Sequence, residues 1–110
     1  MPNKKQKILI VGNPNVGKSV VFSNITKIFA TVSNYPGTTV EISKGTLSLN
    51  DCEYEIYDTP GINSLVSTSE DEQVTRNIIL TEQDAKIILV GDAKNLKRTL
   101  LLALQLNELN

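Results

Sequence analysis

The stretch Gly12-Asn13-Pro14-Asn15-Val16-Gly17-Lys18-Ser19 follows directly on the apolar run Ile8-Leu9-Ile10-Val11 and constrains the chain more than any other part of it. A short apolar run ending in glycine reads as a buried strand, and Ser19-Val20-Val21-Phe22 onward reads as a helix start. The spacing G-x-x-x-x-G-K-[ST] in a strand-to-helix turn lets the backbone wrap closely around phosphate oxygens. Successive N–H groups and the positive helix N-terminus stabilise an anion there. Lys18 then reaches the β- and γ-phosphates of a nucleotide, and the Ser19 hydroxyl coordinates Mg²⁺. The expected phosphate-binding residues are Gly12, Asn13, Pro14, Asn15, Val16, Gly17, Lys18, Ser19 and Val20.

The rest of the composition narrows what surrounds that turn. The chain has 110 residues, 40% hydrophobic and 21% charged, with a formal net charge of −1. These values describe one ordinary globular domain and give no charge-based case for a nucleic-acid partner. Lys4-Lys5-Gln6-Lys7 reads as a solvated lead-in, so residues 1–6 are expected to be flexible and residues 7–110 to form the nucleotide-binding core. Histidine is absent, which removes Ser-His triads, His-ligated metals and His-based proton transfer. The single cysteine, Cys52, reads as a free thiol in a reducing compartment. No apolar run approaches the ~18 residues that span a bilayer, and the start lacks a secretory signal core, so the chain is cytoplasmic in character.

Apolar runs at 7–11, 40–49, 53–57 and 86–91 alternate with helix-like stretches at 18–28, 70–80 and 95–109. That alternation argues an α/β fold with a mostly parallel sheet and helices on its faces. The second and third runs are joined only by Asn50-Asp51-Cys52, too short for a crossover, and so form one antiparallel edge hairpin. Ser43-Lys44-Gly45-Thr46 breaks the alternation and predicts a bulge. Asn95 is a good N-cap for the last helix. Leu100-Leu101-Leu102-Ala103-Leu104 is apolar around nearly the whole helix, so one face on the sheet cannot bury it. The expectation is a partial domain lacking its C-terminal strands and helices, with an apolar patch that favours self-association.

A second motif, Tyr57-Asp58-Thr59-Pro60-Gly61, places a carboxylate at the carboxyl end of a strand. Asp58 is expected to hold Mg²⁺ through a water and the Gly61 N–H to bond the γ-phosphate. Between the two motifs lies Ser33-Asn34-Tyr35-Pro36-Gly37-Thr38-Thr39-Val40, turn-rich and with little reason to be rigid. A loop that orders on γ-phosphate and Mg²⁺ needs a hydroxyl ligand at its end, and either threonine supplies one.

Together these words, "GNPNVGKS", "NYPGTTVE", "DTPGINSL", "SEDE" and "DAKNLKR" with the leucine-rich stretch after it, resemble the translation-factor-related GTPases. Within them they are most similar to the N-terminal G domain of the ferrous iron transport protein B family. The resemblance covers residues 7–109 and implies a Ras-like P-loop NTPase fold. It implies GTP and GDP as ligands, with Mg²⁺ and K⁺, and a slow GTPase that regulates a C-terminal membrane transport domain from the cytoplasmic face. It makes Thr39 the switch threonine that binds Mg²⁺ and the γ-phosphate, and Asn15 the residue that helps hold a potassium ion. Lys18, Thr39, Gly61 and Asn15 are then the catalytic set, and Ser19, Thr39 and Asp58 the magnesium set. Ile62 follows Gly61 where some switch GTPases carry a water-orienting glutamine, which implies slow, potassium-stimulated hydrolysis. No Asn-Lys-x-Asp guanine-reading motif occurs in the chain, so guanine preference rests on the resemblance alone. "DTPG" and "PGTT" also occur in soluble GTPases of ribosomes and tRNA, which leaves that function, or a fragment without turnover, as alternatives.

Overall fold

A computed structural model describes residues 6–13, 18, 20, 22, 30–62, 64–65, 69–91 and 94–109. The flexible lead-in expected over residues 1–6 falls outside these except for Gln6, which opens the first strand. Five strands, β1 (Gln6–Gly12), β2 (Ala30–Asn34), β3 (Glu41–Leu49), β4 (Cys52–Asp58) and β5 (Lys86–Val90), form one sheet in the order β2-β3-β4-β1-β5. β4, β1 and β5 are mutually parallel, whereas β2, β3 and β4 are antiparallel neighbours. Among the described residues two helices are continuous, α1 (Glu70–Thr81) and α2 (Leu96–Leu109). Lys18, Val20 and Phe22 also have helical backbone; the rest of the helix expected over 18–28 lies outside the described residues.

Local chemistry accounts for the ends of these elements. The β3–β4 turn is two residues, Asn50 and Asp51, with φ of 51° and 66°. Both residue types tolerate the left-handed region, and a two-residue turn of that kind matches the twist of the flanking strands. Helix α1 opens on Ser69, whose side chain accepts from the Glu72 N–H and donates to the Glu72 carboxylate. Glu70, Asp71 and Glu72 complement the positive end of the helix. Helix α2 opens as expected on Asn95, whose Oδ1 accepts from the Arg98 N–H at 3.3 Å.

The sheet is covered on both faces. Leu9 and Val11 of β1, Ile42 of β3, Val74, Ile78 and Ile79 of α1, and Leu102 and Leu106 of α2 form one buried layer, and Ile10, Ile56 and Phe22 form the other. This two-sided burial corrects the expected bulge. The pairings Ser43↔Asp58 through Leu49↔Cys52 run in unbroken register, with Gly45 opposite Ile56. Ile42 joins the α1/α2 layer while Leu47 packs against the Phe22 layer. The apolar residues change parity because each end of β3 is buried on a different face, which mimics an inserted residue in the sequence pattern.

The antiparallel edge is also one strand wider than a hairpin. Ala30–Asn34 pairs with Gly45–Glu41, so Ser33 and Asn34 belong to a strand, not a loop. Thr31, Val32, Ser33 and Asn34 are all exposed, which removes the alternation that would have marked them. The connection to β3 is a hydrogen-bonded turn. The Thr38 N–H donates to Tyr35 O at 3.0 Å across Pro36-Gly37, and Gly37 has φ of 80°, the geometry of a type II turn. As the sequence requires, α2 buries only part of its circumference. Leu102 and Leu106 are buried, whereas Leu96, Leu100, Leu101 and Leu104 are exposed.

Candidate functional site

Parallel pairing brings two chain segments to one sheet edge. Ile10 lies beside Asp58 in the register, so the residues following each emerge together at the carboxyl ends of β1 and β4. Ligands of open α/β sheets bind at that edge. Gly12 also abuts β5, and a Cβ on it would come within 2.5 Å of the Val90 carbonyl oxygen. Glycine is therefore required there by strand packing as well as by any approach of phosphate. Short hydrogen bonds weld the two segments. The Thr59 N–H and hydroxyl both donate to Ile10 O, at 3.1 and 2.7 Å, and the Ile62 N–H donates to Gly12 O at 2.9 Å.

Lys18 and Asp58 meet in this corner. The Lys18 ammonium donates to the Asp58 carboxylate and to Thr59 O, and the two charged side chains are only 10% and 11% exposed. A buried ammonium is tolerated when it is paired and its donors are satisfied. The two charges that the sequence assigned to a polyphosphate and a divalent cation thus neutralise one another. Thr59 was not expected to take part; its acceptor is a backbone carbonyl, which residue identity does not reveal.

Asn13 is fully buried. Its Nδ2 donates to Ile62 O at 3.0 Å, and its Oδ1 has no partner among the described residues. An unpaired buried acceptor costs about 1–3 kcal/mol. The Ile62 side chain lies in the core, 1% exposed, on the α1/α2 side of the sheet. Three residues further on, the Leu65 N–H donates to Gln105 Oε1 at 2.7 Å and Leu65 O accepts from Arg76 at 2.7 Å, tying the segment to both helices.

The two threonines of the β2–β3 connection differ. The Thr38 hydroxyl donates to Tyr35 O at 2.9 Å and accepts from the Val40 N–H at 3.1 Å, so it is consumed by the turn. The Thr39 side chain is exposed and donates across the surface to Glu70 of α1 at 3.0 Å. Gly61 is half-buried and Val20 is 63% exposed. Pro14, Asn15, Val16, Gly17 and Ser19 lie outside the described residues.

A cleft of about 290 Å³ opens elsewhere, lined among others by Tyr35, Ile42, Lys44, Tyr57, Ile78 and Glu82, and contains none of the expected phosphate-binding residues. Beside it the Tyr57 hydroxyl donates to Glu55 at 3.0 Å, Lys44 lies 3.4 Å from Glu55, and Lys7 lies 3.0 Å from Glu82. Burial, then the bond to Glu55, pushes the Tyr57 hydroxyl up to about 12. Burial alone would raise the Glu55 carboxyl, but the Tyr57 hydroxyl and the Lys44 charge outweigh it and hold the group below its usual range.

Comparison with known proteins decides between the resemblances. The sequence model of the family described as ferrous iron transport protein B matches residues 6–110. The chain belongs to the ferrous iron transport protein B family. It is 39% identical over 106 residues to the Fe(2+) transporter FeoB of Methanocaldococcus jannaschii, covering 96% of this chain and 16% of that protein. It is 42% identical over 110 residues to FeoB of Escherichia coli K12, covering 96% of this chain and 14% of that protein. The chain thus spans about a sixth of the length of these relatives. Among solved structures, the G domain of the T. maritima FeoB iron transporter superposes with a TM-score of 0.92 at 34% identity, covering 97% of this chain and 67% of that one. A GDP-bound mutant of S. thermophilus NFeoB superposes with a TM-score of 0.86 at 42% identity, covering 94% of this chain and 40% of that one. The fold is therefore that of a FeoB G domain, an α/β P-loop NTPase fold. Among the described residues no helix is long and apolar enough to cross a membrane.

Proposed function

We propose that the chain is the GTP-binding and slowly GTP-hydrolysing switch domain of a ferrous-iron transporter. The observation that carries this reading is the buried Lys18–Asp58 pair at the joined ends of β1 and β4. A magnesium nucleotide offers an anion to Lys18 and a cation to Asp58. It is therefore the class of ligand that separates the pair without stranding either charge in a dry corner.

In this reading the backbone from Gly12 to Val20 and the Lys18 ammonium hold the phosphates, and the Gly61 N–H reaches the γ-phosphate. Ser19, Thr39 and Asp58 hold magnesium, and Asn15 holds potassium. Bound magnesium supplies neutralisation of charge on the β- and γ-oxygens. Thr39 is favoured over Thr38 because only Thr39 has a hydroxyl that changes partner without breaking the type II turn. The burial of Ile62 supports slow hydrolysis, since that side chain gives no help in orienting water. GDP in the S. thermophilus neighbour supports guanine nucleotide as the ligand. The FeoB relatives, about six to seven times as long, support a membrane transport domain in the same protein as the regulated partner, and the T. maritima neighbour described as a cytosolic domain supports a place for this domain on the cytoplasmic face.

The test is a competition titration of GTP against ATP with Mg²⁺ on the full-length protein, followed by turnover in potassium and in sodium. The expected result is preference for GTP and faster turnover in potassium. Equal competition by ATP, or no turnover in either salt, overturns the corresponding part of the reading.

A further inference from the structure

Asn13 carries a part of the site that no phosphate-loop motif assigns to it. Its side chain is fully buried and aimed across the corner at Ile62, not outward as a phosphate ligand would be. Because Ile62 O accepts only, the amide must present Nδ2 to it and leave Oδ1 behind, where it meets no donor among the described residues. A buried amide with one half unsatisfied is a poor choice for stability alone, since the unpaired acceptor keeps its full desolvation penalty. Its contribution lies in the half that is bonded.

That bond closes a reciprocal clamp. The Ile62 N–H donates to Gly12 O at 2.9 Å, and Ile62 O accepts from the Asn13 side chain at 3.0 Å. Both backbone polar groups of the residue after Gly61 are thereby tied to the first two residues of the phosphate loop. Gly61 adjoins that residue, so the clamp narrows where its N–H can lie relative to the loop. The downstream contacts of Leu65 with Gln105 and Arg76 attach the same segment to α1 and α2.

We infer that Asn13 is a positioning residue whose side-chain amide locks Ile62, and through it the Gly61 N–H, onto the phosphate loop, so that the γ-phosphate meets a preset donor. This rests on the proposed GTPase reading. Removing the amide donor leaves the loop's own N–H groups intact. GDP, which lacks the γ-phosphate, then loses little affinity, whereas GTP turnover suffers.

The experiment uses the full-length protein as wild type, Asn13→Ala and Asn13→Leu, the last keeping a side chain of similar size that can neither donate nor carry a charge. Affinities for GDP and for a non-hydrolysable GTP analogue are measured with kcat and KM for GTP. The clamp predicts that kcat falls about tenfold in both variants, the order expected for one lost hydrogen bond. The analogue loses affinity relative to GDP, and GDP affinity stays within about threefold. Should Asn13→Ala fail to fold, Asn13→Leu decides alone. Unchanged kcat and an unchanged analogue-to-GDP ratio overturn the clamp, as does equal loss of GDP and analogue binding, which would mark Asn13 as part of the loop's scaffold. A wild type that binds no guanine nucleotide overturns the GTPase reading itself, and the clamp with it.

Discussion

Replacing Lys18 with methionine in nucleotide-free protein isolates the energetic content of the buried pair. The substitution keeps most of the aliphatic stem and deletes the ammonium. Asp58 is then left as a nearly buried carboxylate, and Thr59 O loses a donor. Breaking a buried pair from one side costs about 3–5 kcal/mol, because the remaining charge stays desolvated. Asp58 sits at the sheet edge with 11% of its side chain exposed and gains some relief from water, which puts the expectation at the lower end, about 3 kcal/mol. For a domain of this size that lowers Tm by more than about 10 °C. The double variant Lys18→Met/Asp58→Asn has no charge to strand and should return to within about 1 kcal/mol of wild type. Urea unfolding without nucleotide, with m compared across the variants, measures both numbers. Nucleotide binding should be lost in the single and the double variant alike, which separates the pair's structural cost from the ligand's need for Lys18. A single variant within about 1 kcal/mol of wild type would refute the argument, since a solvent-screened pair is worth no more than that.

Thr39→Ala removes a hydroxyl that, among the described residues, bonds only Glu70 at the surface, so stability and GDP affinity should hold while GTP turnover slows; equal loss of GDP and GTP binding would make the loop merely structural. The raised Tyr57 pKa gives a signed pH effect. Between pH 10 and about 12 the unfolded tyrosine releases its proton while the folded one keeps it, so stability falls as pH rises through that window. Tyr57→Phe should flatten that part of the stability curve, and an unchanged slope in a pH series of urea melts would exclude Tyr57 as its source. Leu102→Ala should cost about 2–5 kcal/mol because Leu102 is fully buried, whereas Leu104→Ala, at 65% exposed, should stay within about 0.5 kcal/mol in thermal or urea unfolding.

Much of the framework was legible because it rests on local chemistry. Asn50-Asp51 marks a hairpin turn since few residues tolerate two consecutive positive φ values, and Asn95 marks a helix start since its side chain accepts from the orphan N–H groups. The glycine-lysine spacing after β1 and the Asp58 motif after β4 are readable for the same reason: each puts a particular residue type at the end of a strand. What was misread involved two faces or no face at all. β3 buries Ile42 on one side and Leu47 on the other, so its pattern changes parity without a bulge. β2 exposes every side chain described on it, so its pairing is carried by backbone groups that the sequence does not display.

The same distinction runs through the site. Lys18 and Asp58 are legible as charges, but that they satisfy one another follows only from the Ile10↔Asp58 register of two parallel strands. The acceptors that complete the corner, Thr59 O for Lys18 and Ile62 O for Asn13, are backbone atoms common to every residue type. Sequence therefore displays the groups that would face a ligand, whereas the groups that fix their spacing emerge from register. Thr38 and Thr39 make the point within two adjacent residues of one type. The type II turn over Pro36-Gly37 consumes the first hydroxyl and turns the second outward to Glu70, so the turn geometry decides which threonine is free to change partner.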